Sequence, residues 1–166
     1  MVELKAKVDN LTAIRDKLLR HGAEKAGIFH QIDTYYKVPK GRLKLREVEG
    51  KSNAQLIYYE REDIHKPKRS LDFILTIPQP RIFKQILNRA MEKRTIVEKT
   101  REIYCYKGVQ IHLDVVKGLG TFVEFERVTS NEPEQQKKDL FRLEKLREQL
   151  GLRSEHLESL SYSDLI

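Results

Sequence analysis

Cysteine occurs once in the 166 residues, at Cys105. A lone thiol excludes an internal disulfide and any thiolate zinc cluster within one chain, and Cys105 reads as a small core residue. Long apolar runs are missing from both ends, and neither end carries a secretory signal pattern, so the expected setting is the cytoplasm. No Pro/Gly/Ser-rich linker divides the chain and no repeat recurs at a solenoid period, which leaves a single domain over residues 1–166. Apolar residues amount to 39%, enough for a core but not a generous one. Carboxylates are the minority charge: 25 Asp plus Glu stand against 32 Lys plus Arg, a formal net charge of +7. That balance favours an anionic partner, whether nucleic acid, a membrane surface or a phosphorylated metabolite, and does not choose among them.

What is present in quantity is strand. "VELKAKV" (2–8), "EKAGIFHQIDTYY" (24–36), "GRLKLREVE" (41–49), "AQLIYYERE" (54–62), "SLDFILTI" (70–77), "TIVEKTREIYCY" (95–106), "VQIHLDVV" (109–116) and "TFVEFERV" (121–128) are rich in β-branched and aromatic residues and end at turn formers. Three helices interrupt them. Residues 10–21 carry Leu11, Ile14 and Leu18 on one stripe and stop at Gly22; residues 80–91 carry Ile82, Phe83, Ile86, Leu87 and Ala90; residues 133–150 carry Leu140, Leu143, Leu146 and Leu150 and stop at Gly151. Eight sequential strands with three one-sided helices predict a mainly β (α+β) fold. Its form is a closed eight-stranded antiparallel β-barrel with helices packed outside, since closure leaves no sheet edge exposed.

The strands place their charges on one parity: Glu3, Lys5 and Lys7; Arg42, Lys44 and Arg46; Lys99 and Arg101; Glu124 and Glu126. Alternate side chains share a face roughly 7 Å apart, so Glu124 and Glu126 aim two like charges the same way. Turn lengths bring the strands into register. A two-residue turn at Lys107-Gly108 sets Arg101 opposite Asp114. A three-residue turn at 118–120 sets Asp114 opposite Glu124 and His112 opposite Glu126, and a loop at 50–53 pairs Glu49 with Ala54, putting Lys44 and Arg46 on the face of Tyr59 and Arg61. Inside a barrel, such a face matches a polyphosphate with a divalent metal. Guanidinium and ammonium groups would hold the phosphates, and hard carboxylate oxygens would hold Mg²⁺ or Mn²⁺.

At this point six ordered segments resemble a known family. "VELKAKV" is similar to the E-x-E-x-K strand of the CYTH superfamily, the triphosphate tunnel metalloenzymes. "DTYY" with "GRLKLRE", "LIYYERED", "VEKTRE", "IHLDVVKGLGTFVEFE" and "SYSDLI" resemble its class IV adenylyl cyclase branch in the same order. The resemblance implies an eight-stranded triphosphate tunnel, Mg²⁺ or Mn²⁺ as cofactor and a homodimer. It further implies either cyclisation of ATP to cyclic AMP and pyrophosphate or hydrolysis of an inorganic or organic triphosphate, thiamine triphosphate included. Carried over by motif, Glu3, Asp114, Glu124 and Glu126 are the expected metal ligands, and Lys5, Lys44, Arg46, Arg61, Lys99 and Arg101 the expected triphosphate-binding residues. Glu3, Lys5, Lys99 and Arg101 are expected to act in catalysis. The first motif position falls on Met1, a departure that leaves one expected ligand missing and keeps open a non-catalytic nucleotide or polyphosphate binder. His30 and His112 read as packed structural histidines. "KPKR" (66–69) reads as a mobile solvated loop rather than a nucleic-acid patch, one able to close over the tunnel mouth. Neither a membrane nor nucleic acid is expected as partner.

Overall fold

The computed structural model describes residues 1–166. Its strands are β1 (Val2–Lys7), β2 (Glu24–Tyr36), β3 (Arg42–Val48), β4 (Ala54–Arg61), β5 (Lys68–Ile77), β6 (Lys93–Tyr106), β7 (Val109–Val116) and β8 (Gly120–Arg127). Helices α1 (Leu11–Arg20), α2 (Pro80–Ala90), α3 (Pro133–Gln149) and α4 (Tyr162–Leu165) accompany them, with a 3₁₀ turn at Ser154–His156. The eight strands close into an antiparallel barrel in the order β1-β5-β4-β3-β2-β6-β7-β8, and β8 returns to β1.

Local chemistry explains where the elements begin and end. The Asn10 side chain accepts from the Ala13 amide at 3.0 Å and caps α1. Pro80 and Pro133 occupy the first helical position of α2 and α3, where a missing N–H costs nothing. Lys107 and Gly108 both adopt positive φ, 47° and 73°, as a tight primed hairpin turn requires, and Tyr106 pairs with Val109.

Period-2 alternation is conserved here with its usual polarity inverted. The outward side chains are apolar because helices cover them. Val2, Leu4 and Ala6 of β1, Ile111 and Leu113 of β7, and Val123 and Phe125 of β8 form one core with Ile14 and Leu18 of α1 and Leu143 and Leu146 of α3. Leu87 of α2 covers Tyr36, Leu45, Ala54 and Ile77 in a second core. The intervening positions, charged in most strands, therefore point into the lumen. Fully burying one such leucine contributes about 1.5–3 kcal/mol, so the helices stabilise the arrangement that confines the charges. The outer face of β5 departs most from this, with Leu71, Phe73 and Leu75 more than half exposed, and Ile28 of β2 and Val115 of β7 are also more than half exposed.

Several expectations need correction. Two hairpins are each shifted by two residues: Asp114 pairs with Phe122 rather than Glu124, His112 with Glu124 rather than Glu126, and Glu47, not Glu49, with Ala54. An even shift preserves parity, so the same side chains still share the lumen. Val116 already pairs with Gly120, which at φ 105° serves as the first residue of β8 instead of the end of the turn. Cys105 is exposed, not a core residue, because it lies on the face of β6 opposite Tyr104, whose side chain is the one buried under the helices. "KPKR" is not a free loop. Lys68 and Arg69 begin β5, pair with Glu3 and Val2 to close the barrel, and the buried Lys68 donates to the Ser159 carbonyl at 2.7 Å.

Candidate functional site

The lumen gathers every site residue expected from sequence and adds several that were not. On the basic side, β3 supplies Lys44 and Arg46, β6 supplies Lys99 and Arg101, β4 supplies Arg61 and β1 supplies Lys5. Their positions are set by carboxylates. Asp33 of β2 is fully buried and accepts from Arg46 Nε and Nη2 at 2.8 Å, from Lys44 at 3.0 Å and from Lys99 at 3.1 Å. Sequence reasoning missed Asp33. The available signal was its shared parity with Tyr35 in "IDTYY", but only the β2–β3 register, with Asp33 opposite Arg46, brings it to the cations.

Arg101 is the hinge between the two charge types. It donates to Asp114 through Nε (2.7 Å) and Nη2 (2.6 Å), and Nη2 also reaches Glu124 Oε2 at 2.5 Å. Both Asp114 oxygens are thereby engaged, and Tyr162 adds a third bond to Oδ2 at 2.8 Å. Asp114 thus anchors Arg101 in this structure rather than presenting a free carboxylate. Glu3 pairs with Arg61, and Glu124 also lies 3.5 Å from Lys5. Glu126 is the least engaged acid, its one close side-chain neighbour of ion-pairing type being His112 Nδ1 at 3.7 Å.

Burial dominates the electrostatics. It drives the Lys99 ammonium down to about 7, with Asp33 opposing and Arg101 assisting the shift. The same loss of solvent lowers Lys5 and raises Glu3. For Asp33 burial would raise the carboxyl, but Arg46, Lys44 and Lys99 together outweigh it and hold the group well below the usual range. Asp72, a second acid that sequence reasoning missed, lines the lumen beside Met1. Burial raises its carboxyl, and its Oδ2 is buried without a partner. The Met1 ammonium itself donates to the Ser70 carbonyl at 2.9 Å.

The "SYSDLI" segment has a definite position. Tyr162 of α4 packs among the inward-facing Tyr35, Ile57, Tyr59, Val97, Val116 and Phe122 and closes that end of the barrel. Ser161 Oγ bonds Tyr59 at 3.0 Å and Arg61 at 2.7 Å, Lys5 donates to the Leu160 carbonyl at 2.7 Å, and Asp164 accepts from Arg42 and Arg94. His30 lies outside the lumen, half-buried and 3.3 Å from Glu98.

A divalent cation fits this donor set. His112, Glu124 and Glu126 present ligand atoms all within 4.8 Å of one another, and the Asp72 Oδ2 and His112 Nδ1 atoms are buried with no hydrogen-bond partner. Six lumen side-chain cations, with the Met1 ammonium beside them, stand against the six carboxylates of Glu3, Asp33, Asp72, Asp114, Glu124 and Glu126. The chemistry such an enclosure suits is the grip of a polyanion through charge-assisted forks, with acids left over for metal.

Comparison with known proteins agrees. Residues 1–162 match the CYTH domain family. No curated protein matches the chain. Among solved structures, the PH1012 protein of Pyrococcus horikoshii OT3 is similar at 26% identity and a TM-score of 0.87, covering 99% of this chain and 98% of its own. A Vibrio parahaemolyticus protein proposed to be an adenylate cyclase shares 23% identity with a TM-score of 0.83, covering 98% of this chain and 95% of its own. A Hippeastrum protein with a dominant triphosphatase activity shares 15% identity with a TM-score of 0.67, covering 99% and 92%. The last two likenesses are of fold alone. No helix is long and apolar enough to cross a membrane. With a family match across nearly its whole length and a closed, charge-lined barrel, the chain belongs to the CYTH domain family of triphosphate-acting metalloenzymes.

Proposed function

We propose that the lumen binds a nucleoside triphosphate with Mg²⁺ or Mn²⁺ and converts ATP to cyclic AMP and pyrophosphate. One observation carries this reading: Lys5, Lys44, Arg46, Arg61, Lys99 and Arg101 converge with Glu3, Glu124 and Glu126 on a single lumen sealed at one end by Tyr162. Arg46 and Arg101 offer planar forks that match phosphate oxygens, while Lys44 and Lys99 supply compact charges on the neighbouring wall. The cations are held in place by Asp33 and Asp114 before any ligand enters, so little reorganisation is needed when charge develops at phosphorus. Glu3, Glu124 and Glu126 would hold the metal, which when bound lowers the pKa of the attacking hydroxyl and stabilises charge on the leaving oxygens. Because six lumen carboxylates already offset most of the lumen cations, a triphosphate alone would load a buried site with excess negative charge; anion and divalent cation therefore bind most favourably together. Attack by the ribose 3′-hydroxyl on the α-phosphorus breaks the bond to the β-phosphate oxygen and yields the cyclic product. The class IV resemblance of "GRLKLRE", "LIYYERED" and "SYSDLI" supports this choice of nucleophile.

A second reading, hydrolysis of the triphosphate by water, is favoured by a different observation. The lumen tyrosines Tyr35, Tyr59 and Tyr162 are all buried at the closed end, 8% exposed or less, and offer little open ring face as a platform for a purine. Cyclisation needs adenosine held with its 3′-hydroxyl in line, and hydrolysis does not. Incubation with ATP, and separately with inorganic tripolyphosphate, in Mg²⁺ or Mn²⁺, followed by chromatography of cyclic AMP, ADP, pyrophosphate and phosphate, separates the two. Cyclic AMP and pyrophosphate in equal amounts support the cyclase. Phosphate without cyclic AMP replaces it by the hydrolase, and binding without any product replaces both by a non-catalytic binder.

A further inference from the structure

The geometry points to His112 as a nitrogen ligand that completes a His112–Glu124–Glu126 cation site in the lumen and biases it toward a transition-metal ion over Mg²⁺. The inference rests on reading the lumen as a metal-bearing triphosphate site, and it adds a ligand of different chemistry from the carboxylates. His112 is 3% exposed. Its Nδ1 has no hydrogen-bond partner, yet it lies 3.7 Å from Glu124 Oε2 and 3.7 Å from Glu126 Oε1. Those separations are too long for hydrogen bonds. They are close to what two atoms show when each sits roughly 2.0–2.2 Å from one shared ion.

The other ring nitrogen sets the orientation. Nε2 is 3.3 Å from Gln110 Oε1, an oxygen that can only accept, so the ring can be held through Nε2–H with Nδ1 turned toward the two carboxylates. A metal-bound histidine also typically donates its second N–H to a carbonyl or carboxylate, which fixes its orientation, and Gln110 occupies that position. Strand geometry assembles the set. His112 and Gln110 alternate onto the lumen face of β7, and β8 places Glu124 directly opposite His112 and Glu126 directly opposite Gln110. Mg²⁺ takes oxygen ligands and gives up water reluctantly, whereas imidazole raises affinity for first-row transition ions.

Mn²⁺ alone is the probe. Titrated into the metal-free full-length protein, it should bind with ¹⁴N couplings from a coordinated imidazole in the pulsed electron spin-echo spectrum. In His112→Gln those couplings should vanish, Mn²⁺ affinity should fall at least about tenfold, and the preference for Mn²⁺ over Mg²⁺ should shrink by a similar factor. Gln110→Leu should keep the couplings and weaken binding less. Stoichiometric Mn²⁺ binding without ¹⁴N coupling in the parent protein overturns the inference, and that measurement needs no variant to fold. Couplings that persist in His112→Gln overturn it as well, by assigning them to another histidine. Either failure leaves the proposed function standing if tripolyphosphate still binds, while loss of tripolyphosphate binding in the parent removes that function itself.

Discussion

Replacing Asp33 by Asn removes the one anion that Arg46, Lys44 and Lys99 share. Asp33 is 0% exposed and accepts four hydrogen bonds from these three cations, at 2.8 to 3.1 Å. Deleting one partner of a buried charge network leaves the others uncompensated, at a cost of about 3–5 kcal/mol. For a chain of this size each kcal/mol lowers Tm by about 2–4 °C, so Asp33→Asn should melt about 6–20 °C below the parent. The lost charge is of the same sign as a phosphate. Tripolyphosphate should therefore raise the Tm of Asp33→Asn more than that of the parent, since it supplies the anion that the side chain no longer provides and binding adds stability by mass action. Differential scanning calorimetry across a tripolyphosphate series measures both effects. A variant that melts within 2 °C of the parent would refute the claim that Asp33 holds these cations. Equal ligand-induced shifts in the two proteins would refute the claim that phosphate takes its place.

Lys99, lowered to about 7 by burial, should be charged and ready for phosphate below that pH and lose its proton above it, so tripolyphosphate affinity should fall as pH rises through about 7. Lys99→Arg keeps its charge and should show a shallower decline by calorimetric titration; parallel pH profiles would exclude Lys99 as the titrating group. Glu124→Gln should leave the fold intact, because Arg101 retains two bonds to Asp114, while reducing turnover at least about 100-fold; unchanged steady-state rates would remove Glu124 from the reaction. Tyr162→Phe deletes one hydrogen bond to the buried Asp114 and should lower unfolding free energy in urea by about 1–3 kcal/mol; a smaller change would mean that α4 is not secured through Asp114.

Sequence by itself determined whatever depends on near neighbours. The period-2 charge pattern placed Lys44, Arg46, Lys99, Arg101, Glu124 and Glu126 on one face, the Lys107-Gly108 turn set Arg101 opposite Asp114, and the apolar stripes located the three long helices to within a residue. Parity survived even where the 117–119 and 48–53 connections were misjudged, because a shift of two residues returns every side chain to its own face. Tertiary structure alone decided the rest. Asp33 meets Lys99 only because β2 pairs with β6, strands separated by more than fifty residues, and β1 becomes a barrel stave only by pairing with both β5 and β8. The four-residue α4 is too short to be stable in isolation, and what holds it is Tyr162 among the lumen side chains and Asp164 on Arg42 and Arg94, contacts with strands far away in the chain. Local pattern determines which way a side chain faces; which charge it meets across the lumen depends on closure of the barrel, and closure is a property of all eight strands at once.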